Sequence, residues 1–240
     1  MADTKDFLVG CSFTDPVWQD VTPWSVLYGR NRASYIVAKA GMGIRGICTE
    51  AMYYLDAIDC QIDNMIIILP NLWRMDIEVD IEGHLCNCMV DLVVCDSTGW
   101  QIQQPAVRKW IHSGGLHYRK NTEMAPIFDF LYRHQGFLVM AKEHIRALER
   151  LLACCRQRKI NCCISAIQDP LDQLTGLDYI RPDIQALLRT VDYDNWLKFD
   201  GQFIDKFLQH QNHPNDSEHA ILCSHIQQYL NKRTLHGQTL

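Results

Sequence analysis

Short apolar runs separated by polar stretches mark the first third of the chain, and their lengths predict β-strands. Phe7, Leu8 and Val9 form the first run, which ends at Gly10. Consecutive apolar residues, in place of an apolar–polar alternation, are typical of strands that are buried on both faces of a sheet. From Met65 onward, five apolar residues follow one another without a break. We therefore predict buried strands at residues 6–10, 33–38, 64–69 and 160–166.

Apolar residues that recur every three or four positions predict the helices. Residues 45–59 and residues 125–158 both show this spacing, and the second pattern predicts one long helix. A further helix is predicted over residues 216–231. Asp216 and Glu218 lie in its first turn, where acidic side chains interact favourably with the helix dipole.

Residues 79–121 and residues 168–200 depart from this rhythm. The first segment contains β-like residues 89–95, a Ser97-Thr98-Gly99 turn and a Gly114-Gly115 pair. We interpret it as an insertion that holds a hairpin with loops. The second segment is interpreted as loop-rich, and whether it forms a lid stays open.

Strands that alternate with helices predict the fold class. Strands without polar alternation favour a parallel sheet covered by helices on both faces. We therefore predict an α/β protein, a three-layer α/β/α fold of flavodoxin-like type with a central, mainly parallel sheet. Residues 1–240 are expected to form one domain, with the insertion at about 79–121.

Composition and charge narrow the class of protein. The 240-residue chain is 48% hydrophobic and 21% charged, which is ordinary for a globular protein. Its net charge of −5 argues against a nucleic-acid-binding surface, which needs a basic face. The chain has no apolar run of about 18 residues, so we expect no membrane span. Eleven cysteines, with no signal-peptide pattern at the start, favour reduced thiols in the cytoplasm.

The cysteines also raise the question of a metal site. His84, Cys86, Cys88 and Cys95 lie close together, and Cys154-Cys155 and Cys162-Cys163 occur as adjacent pairs. Alternate residues of a strand share one face and adjacent residues point to opposite faces, which is poor geometry for chelation. We therefore expect small buried hydrophobic side chains at the cysteines, and no metal.

The sequence from Gly41 to Gly46 fits the pattern G-x-G-x-x-G between a predicted strand and a predicted helix. A dinucleotide site of this type needs an acidic residue at the end of the next strand. That strand ends Ile68-Leu69-Pro70-Asn71, with no acid. We therefore expect no cofactor, and interpret the glycines as a tight strand-to-helix turn or as backbone donors to an oxyanion.

Four short segments carry a resemblance to a known family. Gly10-Cys11-Ser12-Phe13-Thr14 ends the first strand, Ala40-Gly41-Met42-Gly43 follows the second, and Ile68-Leu69-Pro70-Asn71 ends the third. His213-Pro214-Asn215-Asp216-Ser217-Glu218-His219 leads into the last predicted helix. In this order the segments resemble the motifs of the SGNH (GDSL-like) hydrolase superfamily, and more closely its small members common in phage and bacterial genomes.

The resemblance implies a serine esterase that acts on an acyl ester, including an O-acyl group of a carbohydrate. Ser12 would attack the ester carbonyl, and His213 would accept its proton and return it to the leaving alcohol. Backbone N–H groups of Ser12 and of Gly41 or Gly43, together with the Asn71 side chain, would stabilise the oxyanion.

Trp73 and Arg74 directly follow the asparagine segment. Aromatic rings and guanidinium groups suit sugars and anions, so we expect these side chains to line a cleft for a small-molecule or glycan ester. Each residue also has a plainer interpretation: surface packing for Trp73 and Arg74, a strand end for Asn71, and a helix N-cap for Ser12.

The orienting acid of the triad is missing from its usual place, because the residue three before His213 is His210. Asp205 and Asp216 are candidate substitutes, and a Ser-His dyad held by a backbone carbonyl is the third option. His219, with Asp216 three residues before it, is an alternative base.

Two further departures keep a second hypothesis open. Cys11 replaces the customary acid beside the nucleophile, and Ile44 replaces the customary asparagine after the glycines. Together with His210, these residues suggest a catalytically inactive binding or structural module of the same fold. A thiol enzyme that uses Cys11 is another hypothesis, although no basic residue adjoins it in sequence to activate the thiol.

Overall fold

The computed structural model describes residues 5–17, 21–79, 88–113, 125–199 and 214–235. Within these ranges the strands are β1 (Lys5–Gly10), β2 (Ser34–Ala38), β3 (Ile62–Leu69), β4 (Asp76–Val79), β5 (Cys88–Met89), β6 (Leu92–Asp96), β7 (Gly99–Gln104), β8 (Lys109–His112) and β9 (Asn161–Ala166). The α-helices are α1 (Trp24–Asn31), α2 (Ile44–Ala57), α3 (Ala125–His134), α4 (Phe137–Gln157), α5 (Arg181–Arg189) and α6 (Asp216–Leu235).

The main sheet has six strands in the order β7-β6-β2-β1-β3-β9. β1 pairs in parallel with both β2 and β3, and β3 pairs in parallel with β9. β6 runs antiparallel to β2, and β7 returns antiparallel to β6, so five of the six strands point the same way. The prediction of an α/β protein with a mainly parallel central sheet is confirmed.

Alternate residues of the central strands face two separate hydrophobic layers. Phe7 and Val9 of β1 belong to the layer that contains α2 and α4, while Leu8 belongs to the layer that contains α1 and α6. None of the three side chains is exposed, and burying one of this size stabilises the fold by about 1.5–3 kcal/mol. Helices therefore cover both faces of the sheet, which explains why its strands carry consecutive apolar residues.

The four predicted strands are confirmed within two residues at their ends, and the predicted helices at 45–59 and 216–231 within four. The single helix predicted over 125–158 is wrong, since the structure has two helices, α3 and α4. Gly136 lies between them with a φ of 75°. Any other residue in this left-handed conformation costs about 1–2 kcal/mol, so the glycine lets the chain turn where a continuous helix was expected.

The interpretation of residues 168–200 as loop-rich is incomplete, because this segment also contains helix α5. Pro182 and Asp183 lie in its first turn, where both residue types are favoured. Ile184 and Leu188 are the buried residues of this helix. The amphipathic pattern of this helix is only nine residues long. Short 3-10 turns lie on either side of it, at Asp172–Leu174 and Tyr193–Asn195, so the sequence gives no clear start or end for the helix.

The described part of segment 79–121 divides between two sheets. The predicted Ser97-Thr98-Gly99 turn connects β6 to β7, and the Asp96 carboxylate accepts hydrogen bonds from Thr98 N and Oγ1 at 2.8 and 2.6 Å. This hairpin extends the main sheet beyond β2. β8 pairs instead with β4 and β5 in a separate three-stranded sheet. The Gly114-Gly115 pair lies outside the described residues.

Candidate active site

The carboxyl ends of β1, β2, β3 and β9 meet at one edge of the main sheet, because these strands are parallel neighbours. Ser12 and Asn71 each lie two residues beyond a strand, Gly41 lies three beyond, and Gln168 lies two beyond β9. Neighbouring strands are about 4.8 Å apart, so the loops that carry these residues are adjacent. Open α/β sheets bind ligands at this edge, which we call the carboxyl edge.

Ser12 lies in a tight turn directly after β1. The N–H groups of Thr14 and Asp15 both donate to the Cys11 carbonyl at 2.9 Å, which folds the chain back. Ser12 is only 2% exposed, and its Oγ lies 3.9 Å from the Cys11 Sγ. Within residues 5–17 no helix begins, so the interpretation of Ser12 as a helix N-cap is wrong.

Asp15 ties the Ser12 turn to the loop after β2. One carboxylate oxygen accepts a hydrogen bond from Val17 N and the other from Ala40 N, both at 3.0 Å. Burial raises the pKa of Asp15, while the two N–H donors and the nearby Lys39 oppose that rise. The sequence does not reveal this role, because an acid in a turn is common and Ala40 is distant along the chain.

The glycine turn between β2 and α2 is held by a second buried acid, Asp76. Gly41 has a φ of 86°, a conformation that favours glycine. The N–H groups of Gly43 and Gly46 donate to the two carboxylate oxygens of Asp76 at 2.7 and 2.8 Å. A Cβ atom on Gly43 would lie 2.6 Å from the carbonyl oxygen of Arg74, so this close approach requires glycine.

Asp76 changes what the glycine turn can bind. Burial raises its pKa from 3.8 to about 6, although the N–H groups of Gly43 and Gly46 and the charge of Arg74 lower it. The carboxyl lies at the N-terminus of α2, where a dinucleotide site would hold a phosphate. It also engages the Gly43 N–H, one of the two alternatives for the oxyanion. The Gly41 N–H has no hydrogen-bond partner among the described residues.

Asn71 is held by hydrogen bonds at both ends of its amide. Its Oδ1 accepts a hydrogen bond from Trp73 N at 2.7 Å, and its Nδ2 donates to Gln168 Oε1 at 3.2 Å. Gln173 braces the same loops, because its Oε1 accepts from Leu72 N and its Nε2 donates to the Gln168 carbonyl. An amide nitrogen carries two protons, so Asn71 keeps one N–H with no partner among the described residues.

Trp73 and Arg74 separate in the structure. The half-buried ring of Trp73 packs on Phe137 of α4, with ring centroids 3.9 Å apart. The half-buried side chain of Arg74 reaches the glycine turn, where its Nη1 lies 3.5 Å from the carbonyl oxygen of Met42. Arg74 therefore lies beside the carboxyl edge, while the Trp73 ring contributes to packing.

A reciprocal pair of hydrogen bonds starts helix α6. Glu218 N donates to Asn215 Oδ1 at 3.0 Å, and Asn215 N donates to Glu218 Oε2 at 2.8 Å. This capping box satisfies two backbone N–H groups that a helix start leaves unpaired. It fixes where the described chain enters α6, immediately after Pro214.

The first turn of α6 also holds the segment before α1. Asp216 Oδ1 accepts a hydrogen bond from Thr22 N at 2.8 Å, and Nδ1 of the fully buried His219 accepts one from Trp24 N at 3.2 Å. These contacts give both residues, named above as alternative acid and base, a structural role.

The α1 segment in turn contacts the loop after Ser12, where Ser25 Oγ donates to the Thr14 carbonyl at 2.6 Å. The start of α6 is thus connected to the Ser12 turn through one intervening segment. The predicted base His213, together with His210 and Asp205, lies outside the described residues.

Most cysteines serve as small hydrophobic side chains, as predicted. All nine cysteines whose side chains the structure describes are free thiols, and seven of these are buried. Across the described ranges, histidine, cysteine, aspartate and glutamate side chains do not gather into groups of three or more that would hold a metal ion. Of the metal-like cluster, His84 and Cys86 lie outside the described residues, as does the Cys88 side chain.

Comparison with known proteins does not assign this chain to a family. No protein-family model, curated protein or solved structure matches this chain. Among the described helices, none combines the length and apolar character needed to cross a membrane. The chemistry that the carboxyl edge can support is therefore inferred from its own geometry.

Proposed function

We propose that this protein is a serine hydrolase of SGNH type that cleaves an acyl ester. The observation that carries the proposal is the convergence of Ser12, Gly41 and Asn71 on one edge of a parallel sheet. Nucleophile and oxyanion donors must surround one carbonyl group, and the proposal is supported by candidates for both on loops that follow neighbouring strands. The proposed substrates are small-molecule or glycan esters.

The strand order supports the finer fold assignment. The parallel strands follow the order β2-β1-β3-β9, which corresponds to the start of the flavodoxin-like order 2-1-3-4-5. In this order the connections change direction next to β1, and ligands bind at the carboxyl ends of the strands there. Ser12 lies in the loop at that point.

In the proposed reaction, Ser12 Oγ attacks the ester carbonyl and passes its proton to His213. The N–H groups of Ser12 and Gly41 and the remaining N–H of Asn71 stabilise the tetrahedral oxyanion, and losing one such donor costs about 10²–10³ in rate. Gly41 is preferred over Gly43, whose N–H already donates to Asp76.

The base His213 comes directly before the segment that leads into α6. That segment is connected to the Ser12 turn through the contacts of Asp216, His219 and Ser25. Asp216 Oδ1 already accepts the Thr22 N–H, so Asp205 or a backbone carbonyl is the better candidate to orient His213.

Labelling with a fluorophosphonate probe, followed by peptide mapping, tests this function. We expect an adduct on Ser12 that is absent in Ser12→Ala and reduced at least tenfold in His213→Ala, because an unactivated serine reacts slowly. Ser97→Ala is the matched control, since Ser97 is exposed in the β6–β7 turn. An adduct elsewhere, or equal labelling of Ser12→Ala, would reject the proposal.

A second candidate function is a binding module that has lost hydrolysis. The observation that favours it is the environment of Ser12, which is 2% exposed and contacts the Cys11 sulfur, while no described histidine hydrogen-bonds to its Oγ. Absence of both labelling and Ser12-dependent ester turnover in folded protein would favour this module. Turnover that depends on Ser12 would exclude it.

A further inference from the structure

Arg74 lies beside the glycine turn of the proposed site. It belongs to the loop between β3 and β4, three residues after Asn71. Its backbone packs so closely on the glycine turn that a Cβ on Gly43 would lie 2.6 Å from the Arg74 carbonyl. Its guanidinium extends along the same turn, with Nη1 3.5 Å from the Met42 carbonyl. The loop that carries Asn71 and the turn that carries Gly41 therefore hold this charge between them.

The guanidinium of Arg74 has no ion-pair partner among the described residues. Every ion pair found within 4.0 Å in those residues involves another cation, such as Arg45 with Glu143 at 3.8 Å. Asp76 is near enough for Arg74 to lower its pKa, but its carboxylate lies beyond the 4.0 Å ion-pair distance from the guanidinium. A guanidinium has five N–H donors, and one contact at 3.5 Å leaves most of them unused.

A half-buried guanidinium that makes no ion pair within the described residues keeps N–H donors that it can offer to an anion. The net charge of the chain is −5, so its overall field repels anions and a local group has to select them. Guanidinium groups bind carboxylate and phosphate oxygens through two parallel N–H donors.

We infer that the ester cleaved at this site carries an anionic group, and that Arg74 is the residue that selects it. The inference rests on the proposed serine hydrolase function. It assigns a substrate class, acyl esters bearing a carboxylate or phosphate a few bonds from the reacting carbonyl. It also makes Arg74 a specificity residue.

Two chromogenic esters that differ in this charge test the inference, and each rate is corrected for spontaneous hydrolysis without protein, which the free carboxylate of the first ester accelerates. They are mono-4-nitrophenyl succinate, whose free end is a carboxylate, and its neutral methyl ester. In each reaction Ser12 Oγ bonds to the acyl carbon while the bond to the 4-nitrophenol oxygen breaks, and the serine proton passes through His213 to the leaving group. Water then hydrolyses the acyl-serine, which releases the free acid.

We expect the wild type to prefer the anionic ester by about 10–100-fold in kcat/KM, the range of one charged contact. Arg74→Gln should bring that ratio close to one by slowing the anionic ester, and Arg74→Lys should retain part of it. Arg45→Gln is the matched control, because Arg45 is exposed and paired with Glu143. It should leave the ratio unchanged.

The two proposals fail in different ways. Ser12-dependent turnover of both esters with a ratio near one, or a ratio that Arg74→Gln does not change, would overturn the anionic substrate and leave the hydrolase standing. If neither ester is cleaved, succinate itself tests the site without turnover. At ten times its Kd it should raise the melting temperature of the wild type by about 3 °C and not that of Arg74→Gln. An equal shift, or none, would overturn the inference.

Discussion

The two edges of the main sheet use buried acids in different ways. At the amino edge, the Asp6 carboxylate of β1 accepts hydrogen bonds from Tyr28 Oη at 2.6 Å and Asn64 Nδ2 at 2.8 Å, and it pairs with Arg32 Nε at 2.7 Å. At the carboxyl edge, the equally buried Asp15 accepts hydrogen bonds from backbone N–H groups alone.

This difference separates groups that hold the fold from groups left for chemistry. At the amino edge, Tyr28 of α1 and Asn64 of β3 both donate hydrogen bonds to Asp6 of β1, so these side chains are engaged with one another. At the carboxyl edge the acids hold loops by their backbones, so the second N–H of Asn71 and the guanidinium of Arg74 keep unused donors. An active site needs a rigid scaffold that holds it in place and polar groups that remain available to a substrate. The amino edge supplies the first, and the donors at the carboxyl edge suit the second.

The same substitution at each edge gives the largest expected effects. Asp6→Ala leaves the Tyr28 hydroxyl and the Asn64 amide without an acceptor, so we expect the free energy of unfolding to fall by about 4 kcal/mol. Asp15→Ala releases the Ser12 turn from Ala40, so we expect kcat to fall about 10²-fold, because small misplacements of reacting groups are costly. Urea denaturation and 4-nitrophenyl acetate hydrolysis measure the two quantities.

If the two edges have separate roles, Asp6→Ala should lower stability without lowering turnover, and Asp15→Ala should lower turnover. Turnover per folded molecule in Asp6→Ala should remain within about twofold of the wild type, since Asp6 contacts none of the described residues of the proposed site. Loss of turnover in the folded Asp6 variant, or full turnover in Asp15→Ala, would show that the two edges do not divide the roles in this way.

Asp76, the second buried acid at the carboxyl edge, should make the free energy of unfolding depend on pH. Because burial raises its folded-state pKa from 3.8 to about 6, the folded protein binds this proton more tightly than the unfolded chain. Its contribution to stability is therefore complete below pH 3.8 and is lost as the pH rises through 6. The difference corresponds to about 3 kcal/mol.

We expect the unfolding free energy of the wild type, minus that of Asp76→Asn, to decrease by about this amount between pH 4 and 7. Urea titrations at constant ionic strength measure it, and the other buried acids cancel because both proteins contain them. A difference that is flat, or that increases with pH, would show that the two N–H donors outweigh burial.

Gln168 gives the smallest expected effect. Its Oε1 accepts a hydrogen bond from Asn71 Nδ2, and removing that acceptor frees the amide to rotate. We expect Gln168→Leu to lower kcat about tenfold with little change in KM, because Asn71 is proposed to act on the oxyanion alone. Gln168→Glu is the matched control, since it keeps an acceptor oxygen. A KM effect without a kcat effect would argue for a role in substrate binding.

Features of the fold that depend on residues close together in the sequence could be predicted. The run from Met65 to Leu69 predicts a strand because burial on both faces demands apolar side chains at every position. The helix break at Gly136 was missed, since an isolated glycine is compatible with a helical pattern and the sequence does not show that this one adopts a positive φ.

For the candidate site, the sequence identified the residues that carry motifs and missed those that hold them. Ser12, Gly41 and Asn71 stand out because each follows a predicted strand. Asp15 and Asp76 have partners 25 and 33 residues away, and no local pattern links them. The assignment of Gly43 as a possible oxyanion donor shows the consequence, because Asp76 takes up that N–H.

By itself, the sequence determined the elements whose stabilising contacts lie within a few residues. The capping box between Asn215 and Glu218 and the Ser97-Thr98-Gly99 turn are of this kind, since hydrogen bonds between residues two or three positions apart hold them. Only the tertiary structure decided which donors at the carboxyl edge are engaged and which stay unused. That outcome depends on acids and amides brought together from distant strands, and hydrogen bonds over such separations follow from packing of the whole sheet.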